Sequence, residues 1–177
     1  MIPRLSGAAA KRLLRRCGIR VLCRKSGPAP GGEAALLIEV QGLPPGLGSC
    51  MHWDRRLGGR LAKALFSLAG VRGAAVGLGF ACASRPGSQV HDAFAWQAGR
   101  VRYLGNNSGG LDGGMTTGEP LLLRADLAPG AALRPAAAAD AVAAVLGGAL
   151  LEKTGLCSGR ELPARVQALR NVNFVNA

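Results

Sequence analysis

A run of glycines and small polar residues at 106–120 is the feature that most restricts what this chain can fold into. It reads Asn-Asn-Ser-Gly-Gly-Leu-Asp-Gly-Gly-Met-Thr-Thr-Gly-Glu-Pro and precedes an apolar segment. Such glycine density permits φ > 0 and lets a flat or phosphorylated ligand approach main-chain N–H groups, while Asn, Ser and Thr add oriented hydrogen bonds. The run is typical of a binding loop. The alternative is a glycine-rich turn without a ligand, because no Walker or dinucleotide motif spaces the glycines.

The charge balance predicts anionic partners. The chain has 22 Lys and Arg against 10 Asp and Glu, a net charge of +12, and eight of these basic residues precede the first acid, Glu33. A nucleic-acid surface is disfavoured, because only 4% of residues are aromatic and none lies among the early basic ones to stack on bases. Three explanations stay open: a targeting segment, attraction of phosphorylated ligands, and a coding bias towards Arg, Ala and Gly.

Cysteine usage and hydropathy indicate the setting of the chain. Its five cysteines are scattered, odd in number and contain no Cys-x-x-Cys pair, so we expect reduced thiols and no metal site. No signal peptide is recognisable, which favours a cytoplasmic location. No uninterrupted apolar run approaches the roughly 18 to 20 residues that span a bilayer, so we expect no membrane association.

Hydrophobic periodicity predicts alternating helices and strands. We predict helices at 6–16, 57–68, 136–153 and 161–170, strands at 19–24, 34–40 and 71–83, a hairpin of 94–96 with 101–103, and a buried strand starting at Leu121. Residues 26–33 form a loop. The alanines of the 136–153 helix predict a thin, weakly packing face. Hairpins between the helices favour an α+β layered fold over a doubly wound parallel sheet.

Several blocks resemble, in order and spacing, the chorismate synthase family. They include Gly-Leu-Pro-Pro-Gly-Leu-Gly-Ser at 42–49, Arg-Pro-Gly-Ser-Gln-Val-His-Asp at 85–92 and the glycine-rich run, and the remaining blocks lie at 52–57, 62–67, 71–73, 77–80 and 149–155. The match runs back to Arg4, which argues against a targeting segment there. Together the blocks cover most of residues 4 to 155.

The resemblance implies a fold and partners. Chorismate synthases are layered β-α-β sandwiches of two similar halves that assemble as tetramers, with the flavin at a subunit border. Residues 1–177 would be a single domain equivalent to the carboxy-terminal half, with 26–33 as a shortened loop and 156–177 as a tail helix. Half a sandwich exposes apolar surface, so we expect a homo-oligomer or a complex with an amino-terminal half.

The implied reaction is a 1,4-elimination of phosphate from 5-enolpyruvylshikimate 3-phosphate that gives chorismate and requires reduced FMN. The family's two histidine acids lie in Gly-Glu-Ser-His-Gly and Arg-Pro-Gly-His segments, and its Arg/Asp motif lies in an insertion after the position of Pro135. None of these occurs in the 177 residues, so we predict no catalytic residue here and a truncated chain that is inactive alone. The alternative is a non-catalytic remnant that acts as an oligomerisation or anion-binding module.

Family flavin contacts, carried over by position, fall in three places: Ala69-Gly70, Gly113, and the stretch Ala128, Pro129, Gly130, Ala131 and Ala132. The family usually has Asn-Ala at the first place, and Lys-Pro followed by hydroxyl residues at the third. The cation and the hydroxyls are therefore absent from 128–132, and one charge-assisted contact to phosphate, worth about 1.5 to 3 kcal/mol, lacks its donor.

The two histidines and two tryptophans are predicted to be structural. His52 and His91 each lie near a carboxylate residue in sequence, and no acid–base partner can be named for either of them. We expect Trp53 and Trp96 to lie in the core or at a subunit contact rather than against a flavin.

Overall fold

The computed structural model describes residues 5–26, 34–97, 100–155 and 161–171. Most of the predicted 26–33 loop and parts of the predicted tail therefore lie outside the described residues. The elements are α1 (Gly7–Arg16), β1 (Arg20–Lys25), β2 (Ala35–Gln41), α2 (Leu57–Phe66), β3 (Val71–Val76), α3 (Gly87–Val90), β4 (Phe94–Gln97), β5 (Arg100–Tyr103), β6 (Leu111–Asp112), β7 (Met115–Thr116), β8 (Leu121–Leu127), α4 (Pro135–Thr154) and α5 (Leu162–Arg170).

The main sheet has four antiparallel strands in the order β1-β2-β8-β3. Alternate residues of β8 are buried, as the period of a strand requires: Leu121, Leu123, Ala125 and Leu127. Two short hairpins, β4-β5 and β6-β7, lie outside this sheet. The predicted α+β class is confirmed.

Helices α1 and α2 pack against α4, and α4 contacts β1 and β2. Helix α1 begins at the Ser6 cap, whose Oγ accepts a hydrogen bond from the Ala9 N–H at 3.4 Å. Leucines at 57, 61 and 65 form the buried stripe of α2. Helix α5 is bonded to the end of α1 and to the residue after β2, because Arg170 donates to the carbonyl of Cys17 at 2.8 Å and to that of Gly42.

Among the described residues, α4 is the single helix that is long and apolar enough to cross a membrane by length and composition. The core helix of a globular protein passes the same test, and α4 buries Val142, Leu146 and Leu150 completely. The predicted weakly packing face is wrong. Its small residues permit close packing instead, since a Cβ built on Gly147 would lie 3.2 Å from the Cβ of Ala10 on α1.

The predicted strand at 71–83 is also too long. Strand β3 ends at Val76, and Gly79–Ser84 forms a 3-10 helix. The chain leaves the sheet at Gly77, where φ is 57° and a Cβ would collide with the backbone at Asn107 to Gly109. Only glycine fits at position 77, because any side chain would collide with the backbone of the glycine-rich run. Strand β3 therefore ends just before this contact.

Candidate functional site

The glycine-rich run at 106–120 joins β5 to β8 and contains the β6-β7 hairpin. Its first part is tied to the main sheet, since the Leu78 N–H donates to the Asn107 carbonyl at 2.9 Å and the Leu122 N–H to the Gly109 carbonyl at 2.9 Å. Within the run, the Thr117 N–H donates to the Gly110 carbonyl at 3.1 Å. The predicted loop is therefore held by backbone hydrogen bonds just after the end of β3 and at the start of β8.

Asp92 anchors the start of this run. Its Oδ1 accepts a hydrogen bond from the Asn107 N–H at 2.7 Å, and its Oδ2 accepts one from the Ser108 N–H at 2.8 Å. Burial alone would raise the pKa of Asp92, but the two backbone hydrogen bonds, the Ser108 side chain and the neighbouring His91 together lower it below the ordinary value. The carboxylate is therefore ionised at neutral pH.

Thr116 anchors the end of the β6-β7 hairpin. The residue is only 4% exposed, and its Oγ1 donates to the Pro44 carbonyl at 2.7 Å and accepts from the Leu47 N–H at 2.9 Å. The Leu57 N–H, at the first residue of α2, donates to the Gly114 carbonyl at 2.9 Å. The hairpin is thus bonded to the 42–49 block and to the start of α2.

A cleft of about 370 Å³ opens between the β4-β5 hairpin and the β6-β7 turn. Phe94 and Tyr103 form one wall, with their ring centroids 6.4 Å apart in an edge-on arrangement. The turn at Gly113 and the hydroxyl-bearing Thr117 also line the cleft. A neighbouring cavity, also about 370 Å³, shares this aromatic wall and is lined by polar residues that include His91, Asp92, Asn107 and Ser108.

Tyr103 stays protonated in this cleft. Burial raises the pKa of its phenol above the ordinary value, and the negative charges of Asp112, Asp92 and Glu119 raise it further. The phenol can therefore donate a hydrogen bond at neutral pH, and it is unsuited to act as a base.

The predicted flavin contacts fall into two groups in one copy of the chain. The Ala128 N–H donates to the Gly70 carbonyl at 2.7 Å, so Ala69-Gly70 and the stretch Ala128, Pro129, Gly130, Ala131 and Ala132 lie together. Gly113 lies near the opposite end of β8. Seven strand residues at about 3.3 Å each separate the two ends by roughly 20 Å.

The remaining candidates are placed as follows. His52 is exposed, and His91 is exposed at the rim of the polar cavity. Trp53 and Trp96 are 84% and 54% exposed, so the core alternative for the tryptophans is wrong and a subunit contact stays a prediction. Among the described residues no three His, Cys, Asp or Glu side chains cluster closely enough to hold a metal ion.

Sequence reasoning missed Asp92 as an anchor and the aromatic wall of the cleft. The wall was within reach, because the predicted hairpin pairs Phe94 with Tyr103 directly. The bonds of Asp92 join residues 15 and 16 positions apart across irregular chain, for which local patterns carry no signal.

The model of the chorismate synthase family matches residues 19–144, which is more than half of the chain and includes the sheet, the cleft and the glycine-rich run. The chain belongs to the chorismate synthase family. A chorismate synthase of Moorella thermoacetica is 43% identical over 137 residues, covering 76% of this chain and 35% of the relative. One of Trichlorobacter lovleyi is 49% identical over 100 residues, covering 52% and 26%.

A chorismate synthase of Pelobacter propionicus is 38% identical over 161 residues, covering 86% of this chain and 40% of the relative. The chain thus spans between about a quarter and two fifths of these three relatives. A crystal structure of chorismate synthase superposes with a TM-score of 0.81 at 28% identity, covering 94% of this chain and 68% of that one. The fold predicted from the resemblance, part of a chorismate synthase sandwich, is confirmed.

Proposed function

We propose that this chain provides the carboxy-terminal part of a chorismate synthase active unit. The reaction would be the 1,4-elimination of phosphate from 5-enolpyruvylshikimate 3-phosphate, within the shikimate pathway that leads to aromatic amino acids. The observation that carries the proposal is that the family match includes the whole glycine-rich run, whose Gly113 turn lines a cleft with an aromatic wall.

The cleft fits one edge of a flat ring system. Nothing lies within 4 Å of a Cβ built on Gly113, so a ligand can approach this turn closely. Phe94 and Tyr103 offer apolar surface, and the Tyr103 phenol can donate a hydrogen bond. Reduced FMN, when bound, would lend an electron transiently to help the poor C–O leaving group depart, with no net redox change. The role of Gly113, Phe94 and Tyr103 would be to bind and orient it.

The second group of contacts fits FMN less well. Residues 128–132 carry neither a cation nor a hydroxyl, and Pro129, Gly130 and Ala132 are exposed with no charged side chain to offer a phosphate. Losing one charge-assisted hydrogen bond of about 1.5 to 3 kcal/mol weakens binding by a factor of about 10 to 150. We infer that this chain binds FMN more weakly than relatives that have a lysine at that position.

Neither of the two histidines of this chain lines the cleft. His52 is exposed away from the cleft lining, and His91 lines the neighbouring polar cavity rather than the cleft. The family segments that carry the two histidine acids and the Arg/Asp motif are not among the 177 residues. We infer that these 177 residues do not turn over substrate by themselves and that they act within an oligomer, the family tetramer being the expected form.

The setting we propose is cytoplasmic. Cys23, Cys50 and Cys82 are free thiols in the described part of the chain, as expected for a reducing compartment.

The test is a titration of FMN into the purified chain, with and without 5-enolpyruvylshikimate 3-phosphate, followed by flavin fluorescence. We expect binding that strengthens with substrate. Gly113→Ala should weaken it, whereas Gly155→Ala should not. The two glycines have similar positive φ values of 56° and 63°, and a Cβ added at either of them meets no atom within 4 Å, so neither substitution introduces a steric collision.

A second assay measures chorismate formation with reduced FMN. The chain alone should give none. Adding the amino-terminal half of a relative such as that of Moorella thermoacetica supplies the two histidine acids but not the Arg/Asp motif, so we expect turnover that is partly restored and stays below that of the intact relative. FMN binding that is absent at every accessible concentration, together with no complementation, would favour the non-catalytic oligomerisation or anion-binding module.

A further inference from the structure

We propose that Asp92 is a positioning residue, which holds the glycine-rich run in the conformation that presents Gly113 to the ligand of the cleft. The inference rests on the proposed function for the identity of that ligand. The holding of the run itself rests on contacts that do not depend on any ligand.

Asp92 uses both carboxylate oxygens on consecutive backbone donors, the Asn107 and Ser108 N–H groups at 2.7 and 2.8 Å. Consecutive N–H groups that converge on one anion fix the backbone dihedral angles between them. The adjoining segment adds a third contact, since the Asn107 side chain donates to the Gln89 carbonyl at 3.2 Å. The start of the run is therefore set by residues 89–92.

The fixed start is connected to the cleft by backbone hydrogen bonds. Gly109 and Gly110, which follow Ser108 directly, are buried and accept hydrogen bonds from the Leu122 and Thr117 N–H groups. Thr117 lines the cleft, and Gly110 leads straight into β6 and the Gly113 turn. A displacement at 107–108 thus reaches both sides of the β6-β7 hairpin.

The space around Asp92 provides a second way to disturb the same contact. A Cβ built on Gly105 would lie 2.7 Å from Oδ1 of Asp92, and the φ of Gly105 is not in the left-handed region. Gly105→Ala should therefore push the carboxylate away from the Asn107 N–H without changing any charge and without backbone strain.

The experiment compares three variants of the full chain. Asp92→Asn replaces one acceptor oxygen by an NH2 group, which cannot accept from an N–H donor. Gly105→Ala displaces the carboxylate. Asp140→Asn is the control, with the same chemical change at a carboxylate on α4 that is paired with Lys11 at 2.8 Å, away from the cleft. The readouts are backbone amide NMR resonances without ligand, and the FMN dissociation constant.

We expect both Asp92→Asn and Gly105→Ala to shift the amide resonances of Asn107, Ser108 and Gly113 and to weaken FMN binding about tenfold, with Asp140→Asn unchanged. Shifts at Asn107 and Ser108 that leave Gly113 unmoved would overturn the proposal, because the anchor would then be local. Unchanged FMN binding in both variants would also overturn it. A parent chain that binds no FMN, while Gly113 still moves in both variants, would refute the proposed ligand and support the positioning role.

Discussion

Asp92 shows how much of the site depends on the ionisation of one residue. Its folded-state pKa lies below the ordinary value of 3.8, since two backbone N–H groups favour the carboxylate. A lowered folded pKa means that Asp92 stabilises the fold above its unfolded pKa, and that this stability is lost as the pH falls through the folded pKa. At neutral pH Asp92 is therefore ionised and accepts both hydrogen bonds, from the Asn107 and Ser108 N–H groups.

A pH series tests this assignment. The free energy of unfolding of the parent should exceed that of Asp92→Asn by about 1 to 2 kcal/mol at pH 7. The difference should persist to about pH 5 and shrink as the pH falls below the ordinary pKa of an aspartate. Denaturant unfolding at each pH measures it. A difference that grows on acidification would contradict the assigned sign.

Thr116 is a second residue on which the hairpin depends. Replacing it by Val removes a hydroxyl that pairs the Leu47 N–H with the Pro44 carbonyl, and both groups would be left buried without this partner. We expect a loss of about 2 to 4 kcal/mol in the free energy of unfolding. The control is Thr154→Val, another buried threonine, whose Oγ1 donates to the Leu150 carbonyl within its own helix. Equal losses of unfolding free energy in the two variants would show that the hydrogen bonds of Thr116 stabilise the fold no more than the one within a helix at Thr154.

At the level of elements, the packing of α1 on α4 requires small residues. Ala10 is fully buried and faces Gly147. Ala10→Leu should lower the free energy of unfolding by about 1 to 3 kcal/mol, because the added atoms force the helices apart. Ala8→Leu, an exposed position on the same helix, should change it by less than about 0.5 kcal/mol. Urea unfolding of both variants measures the difference, and a tolerated Ala10→Leu would mean that this contact is loose.

The sequence predicted those elements whose apolar residues repeat at a helix or strand period. Leucines at 57, 61 and 65 gave α2, and the alternation along 19–24 gave β1. The end of β3 could not be predicted, because a Gly- and Ala-rich segment has no period and its break at Gly77 depends on the distant backbone of 107–109. The same reason applies to Asp92, whose partners are defined only by the folded chain.

The candidate site residues were assigned from the order of the motifs and not from geometry. Gly113 lies on a cleft, whereas Ala69-Gly70 and 128–132 lie at the other end of β8 in the same copy. No sequence pattern reveals this separation, which follows from strand length and direction. Contact of either group with a flavin stays a prediction, and so does a flavin site at a subunit border.

The whole molecule, of 18.0 kDa, exposes several large aromatic side chains to solvent. Trp53 and Phe80 are 84% and 86% exposed, and a fully buried aromatic side chain removes roughly 150 to 250 Å² from water. We expect the chain to associate at micromolar concentration, and Trp53→Gln combined with Phe80→Gln to shift its average mass in sedimentation towards 18.0 kDa.

Leu22→Gln, on the face of the sheet away from the helices, is the control and should leave the mass unchanged. If the parent sediments as a monomer at all concentrations, these aromatics are not a contact between copies. If Leu22→Gln dissociates the assembly instead, the copies contact each other through the open face of the sheet, on which Leu22 lies.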